Sequence, residues 1–290
     1  MVMDSTAGNI KNATGMGVTE RTDNWWIGPM AVLAGLTAFV VYSTWAAFQG
    51  VHYAVGMSEG FGGYLSPMYS PLIWIQEGVL GGAPLSHALL GPFPDWWAEY
   101  MPSFVPASPA FLIVAFPLSF RFTCYYYRKA YYRAFTWTPP ACAVGSLPRK
   151  SSSKYAGETG LMLFQNLHRY AMYFAVIFIF ILSYDAVLGF FRNGVFGVGV
   201  GSMVLLLNPI LLGSYTFGCH SFRHLMGGNR DCFSCDTRAK VSYGNWKWIT
   251  KLNENHQLLA WISLIWVGWT DIYVRLVSMG IITDLNTWVN

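Results

Sequence analysis

Five stretches of this chain are apolar for long enough to cross a bilayer, and no other property narrows its fold as far. Crossing about 30 Å of hydrocarbon takes roughly 20 residues of helix. The stretches are residues 25–48, which open on a Trp pair, then 109–132, 161–191, 195–218 and 256–282. In the second, PAFLIVAFPLSF runs into RFTCYYYRKAYYRAF, so its Tyr-rich end must supply part of the span. Only RNG separates the third from the fourth, which predicts a tight helical hairpin. Backbone polar groups in hydrocarbon must bond within the segment, so the prediction is an all-α membrane protein, a bundle of about five transmembrane helices. Residues 25–290 then form one transmembrane domain behind a polar tail, 1–24, which lacks the basic start and cleavage site of a signal peptide. With 54% hydrophobic and 11% charged residues the chain is too apolar for a soluble domain.

Charge sets the orientation. The loop 51–108 contains Glu59, Glu77, Asp95 and Glu99 but neither Lys nor Arg. The loops 133–160 and 219–255, with the adjoining span ends, hold most of the cations, Arg121, Arg128, Lys129, Arg133, Arg149, Lys150 and Lys154 with the second span and the loop after it and Arg223, Arg230, Arg238, Lys240, Lys247 and Lys251 after the fourth. Positive charge stays inside, so the N-terminus and both basic loops are expected in the cytoplasm and the long loop outside, as in a multi-pass plasma-membrane protein. The long loop, rich in Gly, Pro and Trp, reads as an ordered cap on the membrane surface, and GSLPRKSSSK as a flexible connector. Cations that adjoin spans leave no isolated basic patch, and nucleic acid is not an expected partner.

The stretch from Gly218 to Asp236, GCHSFRHLMGGNRDCFSCD, concentrates ligand-type side chains. If the fourth span stays helical past Gly218, His220 and His224 share one face at i and i+4 and reach one metal. Cys232 and Cys235 have the spacing that lets two thiolates grip one ion, with Cys219 as a substitute. The five cysteines are an odd number and none is in the outer loop, so metal binding or free thiols are expected rather than a disulfide framework. The set fits a structural zinc, or a Rieske-like [2Fe–2S] cluster with two cysteines on one iron and two histidines on the other. Cys124 and Cys142, on the same side, could replace a ligand.

His168 and His256 open the third and fifth spans at the cytoplasmic side. They could hold a b-type haem between them, or, with Arg169, Tyr170 and Trp248, line a quinone pocket. They could equally be interfacial side chains. Asp185 and Asp271 sit at costly depths near the outer ends of their spans and suggest a proton path. For Asp271 an ion pair with Arg275, one turn on, is the alternative. The run from Cys124 to Arg133 mixes rings and cations as an interfacial anchor or a docking surface does.

TCYYYRKAYYRAF followed by PPACAV, NLHRY heading a span that ends SYDAVL, CHSFRHLMGG, and NENHQLLAWISLIWVGWTDIYV together resemble the single-chain membrane anchors of actinobacterial-type succinate dehydrogenases, from about Thr19 to the C-terminus. The resemblance implies an anchor subunit with no succinate chemistry of its own. It implies a flavoprotein and an iron–sulfur subunit docked on the cytoplasmic face, a quinone, menaquinone in such organisms, as electron acceptor, and a possible higher oligomer of the complex. Single-chain anchors with two haems carry histidines at both depths. Here the only outer histidines, His52 and His87, lie outside the spans. The leading expectation is therefore an electron-transfer subunit using the Cys/His set. A non-redox anchor with zinc and a b-haem anchor are the alternatives.

Overall fold

The computed structural model describes residues 23–57, 61–102, 105, 107–136, 161–228 and 230–288. Most of the polar tail, Cys142 and the connector at 145–154 lie outside the described residues.

Among the described residues, four helices are long and apolar enough to cross a membrane: α1 (Ile27–Gln49), α5 (Leu161–Leu188, apolar from Gln165), α6 (Val200–Phe217) and α9 (His256–Ser278). They agree with four of the five expected spans. The remaining one is broken. α3 (Ala110–Thr123) ends at Cys124, whose ψ of 130° leaves the helical region, and α4 (Tyr125–Thr136) departs at 83°. A 14-residue helix rises only about 21 Å, less than the hydrocarbon core. Continuing straight would drive Arg128, Lys129 and Arg133 toward lipid, where charge is costly, and the turn avoids this. The turn is held because the Tyr127 hydroxyl, one turn into α4, donates to the Ala260 carbonyl of α9 at 2.6 Å.

α6 packs between α5 and α9, α3 lies against α5, and α1 closes the bundle against α4 and α9. The α5–α6 connection is a two-stranded ribbon, β3 (Phe191–Arg192) with β4 (Val195–Phe196). Asn193 and Gly194 both have positive φ, 50° and 80°, as a tight hairpin turn of matching twist requires.

The loop after α1 is an ordered cap, as expected, built on β1 (Ala54–Val55), β2 (Tyr64–Leu65), a 3-10 turn at Leu85–His87 and the short α2 (Trp96–Tyr100). Tyr53 and Tyr69 stack at 4.5 Å over a core that includes Leu65, Met68 and Leu72. Asp271 and Asp284 both fasten the cap. Asp271 pairs with Arg275 at 2.8 Å and accepts from Tyr42 of α1 and Ser66 of the cap, while Arg275 also donates to the Ala46 and Val51 carbonyls. Asp284 accepts from Tyr64 (2.7 Å), Tyr273 (2.8 Å), Arg192 (3.0 Å) and the Gly201 N–H (2.9 Å). Burial, with the Asp284 carboxylate beside it, pushes the Tyr64 phenol up to about 12. A Cβ on Gly201 would stand 2.4 Å from the Tyr64 ring. Gly201→Ala is therefore expected to cost about 1–3 kcal/mol through overpacking, read as a lower thermal midpoint in detergent.

At the opposite, basic end, α6 stops at Phe217. Asn253 donates to the Gly218 carbonyl at 2.8 Å, and a Cβ at Gly218 would meet the Leu252 carbonyl at 3.1 Å. A new helix, α7 (His220–Arg223), runs into a π-turn (His224–Gly228). α8 (Thr237–Glu254), capped by Asp236 accepting from the Ala239 N–H at 2.5 Å, then packs on that turn.

Candidate functional site

The structure distributes the expected ligands differently from the sequence reading. Cys219 sits outside the helical continuation of α6: it caps α7, its sulfur accepting from the Phe222 N–H at 3.2 Å. His220 and His224 are therefore on a separate short turn, and both are exposed. Cys232 and Cys235 are joined to each other as a disulfide on the exposed loop before α8, contrary to the expectation of free thiols. A disulfide offers no thiolate, the form that binds metal. Among the described residues no three of the His, Cys, Asp and Glu side chains converge on a single ion position.

Ligand-type residues do gather, but deeper. The free thiols Cys124 and Cys219 are 3% and 1% exposed, and both belong to one core with Phe120, Tyr127, Met172, Tyr215 and Ala260. The helix break that turns α4 aside is what delivers Cys124 to this core, and the Gly218 stop delivers Cys219. His168 of α5 and His256 of α9, also buried, border it from two further helices. The His168 ring stacks on Phe120 at 4.6 Å, and its Nδ1 lies 3.1 Å from the Thr123 hydroxyl. The His256 ring stacks on Tyr215 at 4.8 Å, its Nε2 is 3.6 Å from the Cys124 sulfur, and its Nδ1 is buried without a partner. Burial pushes the Cys219 thiol up to about 12, with Cys124 near enough to add to the effect. His220, although exposed, lies within electrostatic reach of both buried imidazoles.

Arg121 closes one side of this core. Its guanidinium donates to Tyr127 (2.6 Å), the Ala260 carbonyl (3.1 Å) and Ser263 (2.9 Å), and lies 4.7 Å from the Tyr215 ring centroid. The sequence reading counted Arg121 only as an orienting charge and overlooked Tyr215. The signals were an arginine closing the apolar run PAFLIVAFPLSF and a tyrosine in the last turn of an apolar span.

The other expected site residues scatter. Arg169 and Tyr170 are exposed on the outer face of α5, where Arg169 and His224 border a small surface pocket. Trp248 is 70% exposed on α8. They do not join His168 and His256. Asp271 is committed to the ion pair with Arg275, and Asp185 accepts from Ser70 of the cap.

Comparison with known proteins bears on this arrangement. No curated protein matches the chain. A solved structure described as the Mycobacterium smegmatis Sdh1 complex in the apo form contains a chain 40% identical, with a TM-score of 0.77 and 94% of each chain covered. The family profile described as actinobacterial succinate dehydrogenase subunit SdhC matches residues 27–280. A match over nearly the whole described bundle, reached independently of the packing above, means that this multi-pass membrane protein belongs to the actinobacterial succinate dehydrogenase SdhC family, as a membrane-anchor subunit of that enzyme complex.

Proposed function

We propose that this chain holds a flavoprotein and an iron–sulfur subunit at its basic end and passes electrons from the latter to a membrane quinone, menaquinone by family resemblance. The basic end and the N-terminus face the cytoplasm of a plasma membrane, following the charge asymmetry. The observation that carries the electron-transfer reading is the buried core holding two free thiols and two imidazoles.

A Rieske-like [2Fe–2S] cluster needs two cysteines for one iron and two histidines for the other, and so does not require three ligands on one point. Cys124, Cys219, His168 and His256 supply that donor set, and the Nδ1 of His256, buried without a hydrogen-bond partner, is a donor atom that a metal would satisfy. Such a cluster supplies one-electron transfer at a potential raised above that of all-Cys clusters. The chain's residues do the rest. Phe120 and Tyr215 fix the two imidazole planes by stacking, Thr123 holds the Nδ1 side of His168, and the apolar shell excludes water.

Metal analysis and spectroscopy of the purified complex test this. About two irons beyond those of the iron–sulfur subunit, with a Rieske-like resonance on reduction, is the expected result. Zinc in their place, or a haem Soret band alone, would sink the cluster reading.

A further inference from the structure

The small surface pocket beside Arg169 and His224 measures about 120 Å³, below the roughly 300–1,000 Å³ of drug-sized sites and suited to a single small polar group. Arg169, Met172 and Tyr173 of α5, Ser221 of α7, and His224 and Leu225 of the π-turn border it. Met172 is its buried floor. Among the described residues, the Arg169 guanidinium, the Ser221 hydroxyl and the His224 imidazole have no hydrogen-bond or ion-pair partner, and no carboxylate borders the pocket. Arg223, next to His224, is by contrast committed to Thr250 and the Trp246 ring. A guanidinium is always charged, and an imidazole carries an N–H in either protonation state, so donors surround a hollow that holds no acceptor. Below Arg169 on the same face of α5 come Tyr173, Ile177, Phe180 and Tyr184, at helical spacing. Ile177 and Phe180 are 54% and 68% exposed although they lie within a span, so this stripe meets lipid. Arg169 is four residues inside the apolar stretch that starts at Gln165, about 6 Å deep, from where an arginine reaches headgroups.

We propose that this pocket binds the headgroup phosphate of an anionic phospholipid in the leaflet adjoining the basic end, its acyl chains lying along the Tyr173, Ile177 and Phe180 stripe. The chemistry selects the occupant. A phosphodiester offers only acceptors and a negative charge, which Arg169, Ser221 and His224 complement. A choline lipid would bring a quaternary ammonium up against Arg169. Free phosphate would match the donors but leave the stripe unused, and basic pockets between membrane helices are suited to anionic headgroups. The bound lipid would also act as a clip. Among the described residues, no side-chain hydrogen bond joins α5 to α7 or the π-turn, and a phosphate held by both would supply that tie. Met172 belongs both to the pocket and to the buried core with Cys124 and Cys219, so the clip would brace one wall of that core.

The test is native mass spectrometry of the intact purified complex, delipidated in detergent and titrated with dioleoyl phosphatidylglycerol. Specific uptake of this lipid is expected, with dioleoyl phosphatidylcholine bound at least about tenfold more weakly. Arg169→Gln combined with His224→Gln removes two donors, one of them charged, and is expected to raise the Kd for phosphatidylglycerol about 10- to 100-fold. Both side chains are exposed, so an unchanged thermal midpoint without lipid should show that the fold is kept. Ser221→Asp, which places a carboxylate in the pocket, should weaken binding by repulsion and gives an independent route if the double variant is unstable. Equal binding of the choline lipid, or full affinity in both variants, overturns the proposal. Displacement of the lipid by millimolar inorganic phosphate would make the site one for free phosphate and overturn it too. If the double variant sheds another subunit of the complex while retaining phosphatidylglycerol, the pocket belongs to a protein partner and the lipid assignment fails.

Discussion

Asp271→Ala is expected to cost about 3–5 kcal/mol of stability, because it leaves the Arg275 guanidinium buried and unpaired, the costly half of a broken buried ion pair. Asp271 is fully buried, and its carboxylate ties α1 through Tyr42, the cap through Ser66 and α9 through Arg275. Three segments would loosen together. Removing both charges, Asp271→Leu with Arg275→Met, avoids the stranded cation, so the double change should cost clearly less than the sum of the single changes. Arg275 also satisfies the Ala46 and Val51 carbonyls, so the double variant should remain below wild type. Thermal unfolding of the purified complex in detergent measures all three. A loss under about 0.5 kcal/mol for Asp271→Ala would mean that the pair is not a fastening, since that is the range of featureless surface changes.

The second large effect concerns the buried Cys/His core. Cys219→Ser and Cys124→Ser are each expected to remove about two irons per copy and the quinone-reductase activity with them, because the hydroxyl that replaces either thiol is a poor iron ligand. Cys235→Ser, on the exposed disulfide, is expected to keep the iron. Iron analysis of the three variants separates the buried set from the one that spacing alone suggests. Loss of iron from Cys235→Ser with retention in Cys219→Ser would reverse the assignment.

The architecture was legible where one physical rule acts alone. Spans such as α5 and α9 follow from run length, and the α5–α6 hairpin from Asn193-Gly194. The ordered cap was read from its turn residues. The break at Cys124 was not, since TCYYYRKAYYRAF keeps helical composition across it and only the tie from Tyr127 to α9 fixes the turn. The amphipathic α8 was read as loop, although Asp236-Thr-Arg-Ala is a recognisable helix start. The site was half legible. Cys219 was grouped by sequence spacing with His220, His224, Cys232 and Cys235, and His168 and His256 were set apart as a separate pair, whereas the structure buries Cys219, Cys124 and both imidazoles around one core. Spacing along a chain locates ligands only while the helix that carries them continues, and α6 ends one residue too soon.

The fastening of the cap also orders the birth of the protein. Tyr42 and Ser66 leave the ribosome early, but Asp271, Arg275 and Asp284, which they and Tyr64 need, come from α9 and the segment after it. Until the last span is synthesised and inserted, the cap can pack on α1 and α3 and bond to Asp185 of α5 but lacks its Asp271 and Asp284 fastenings. The cap is thus completed last, and chains stopped before α9 are expected to hold it more loosely than finished chains, which limited proteolysis of the cap would read.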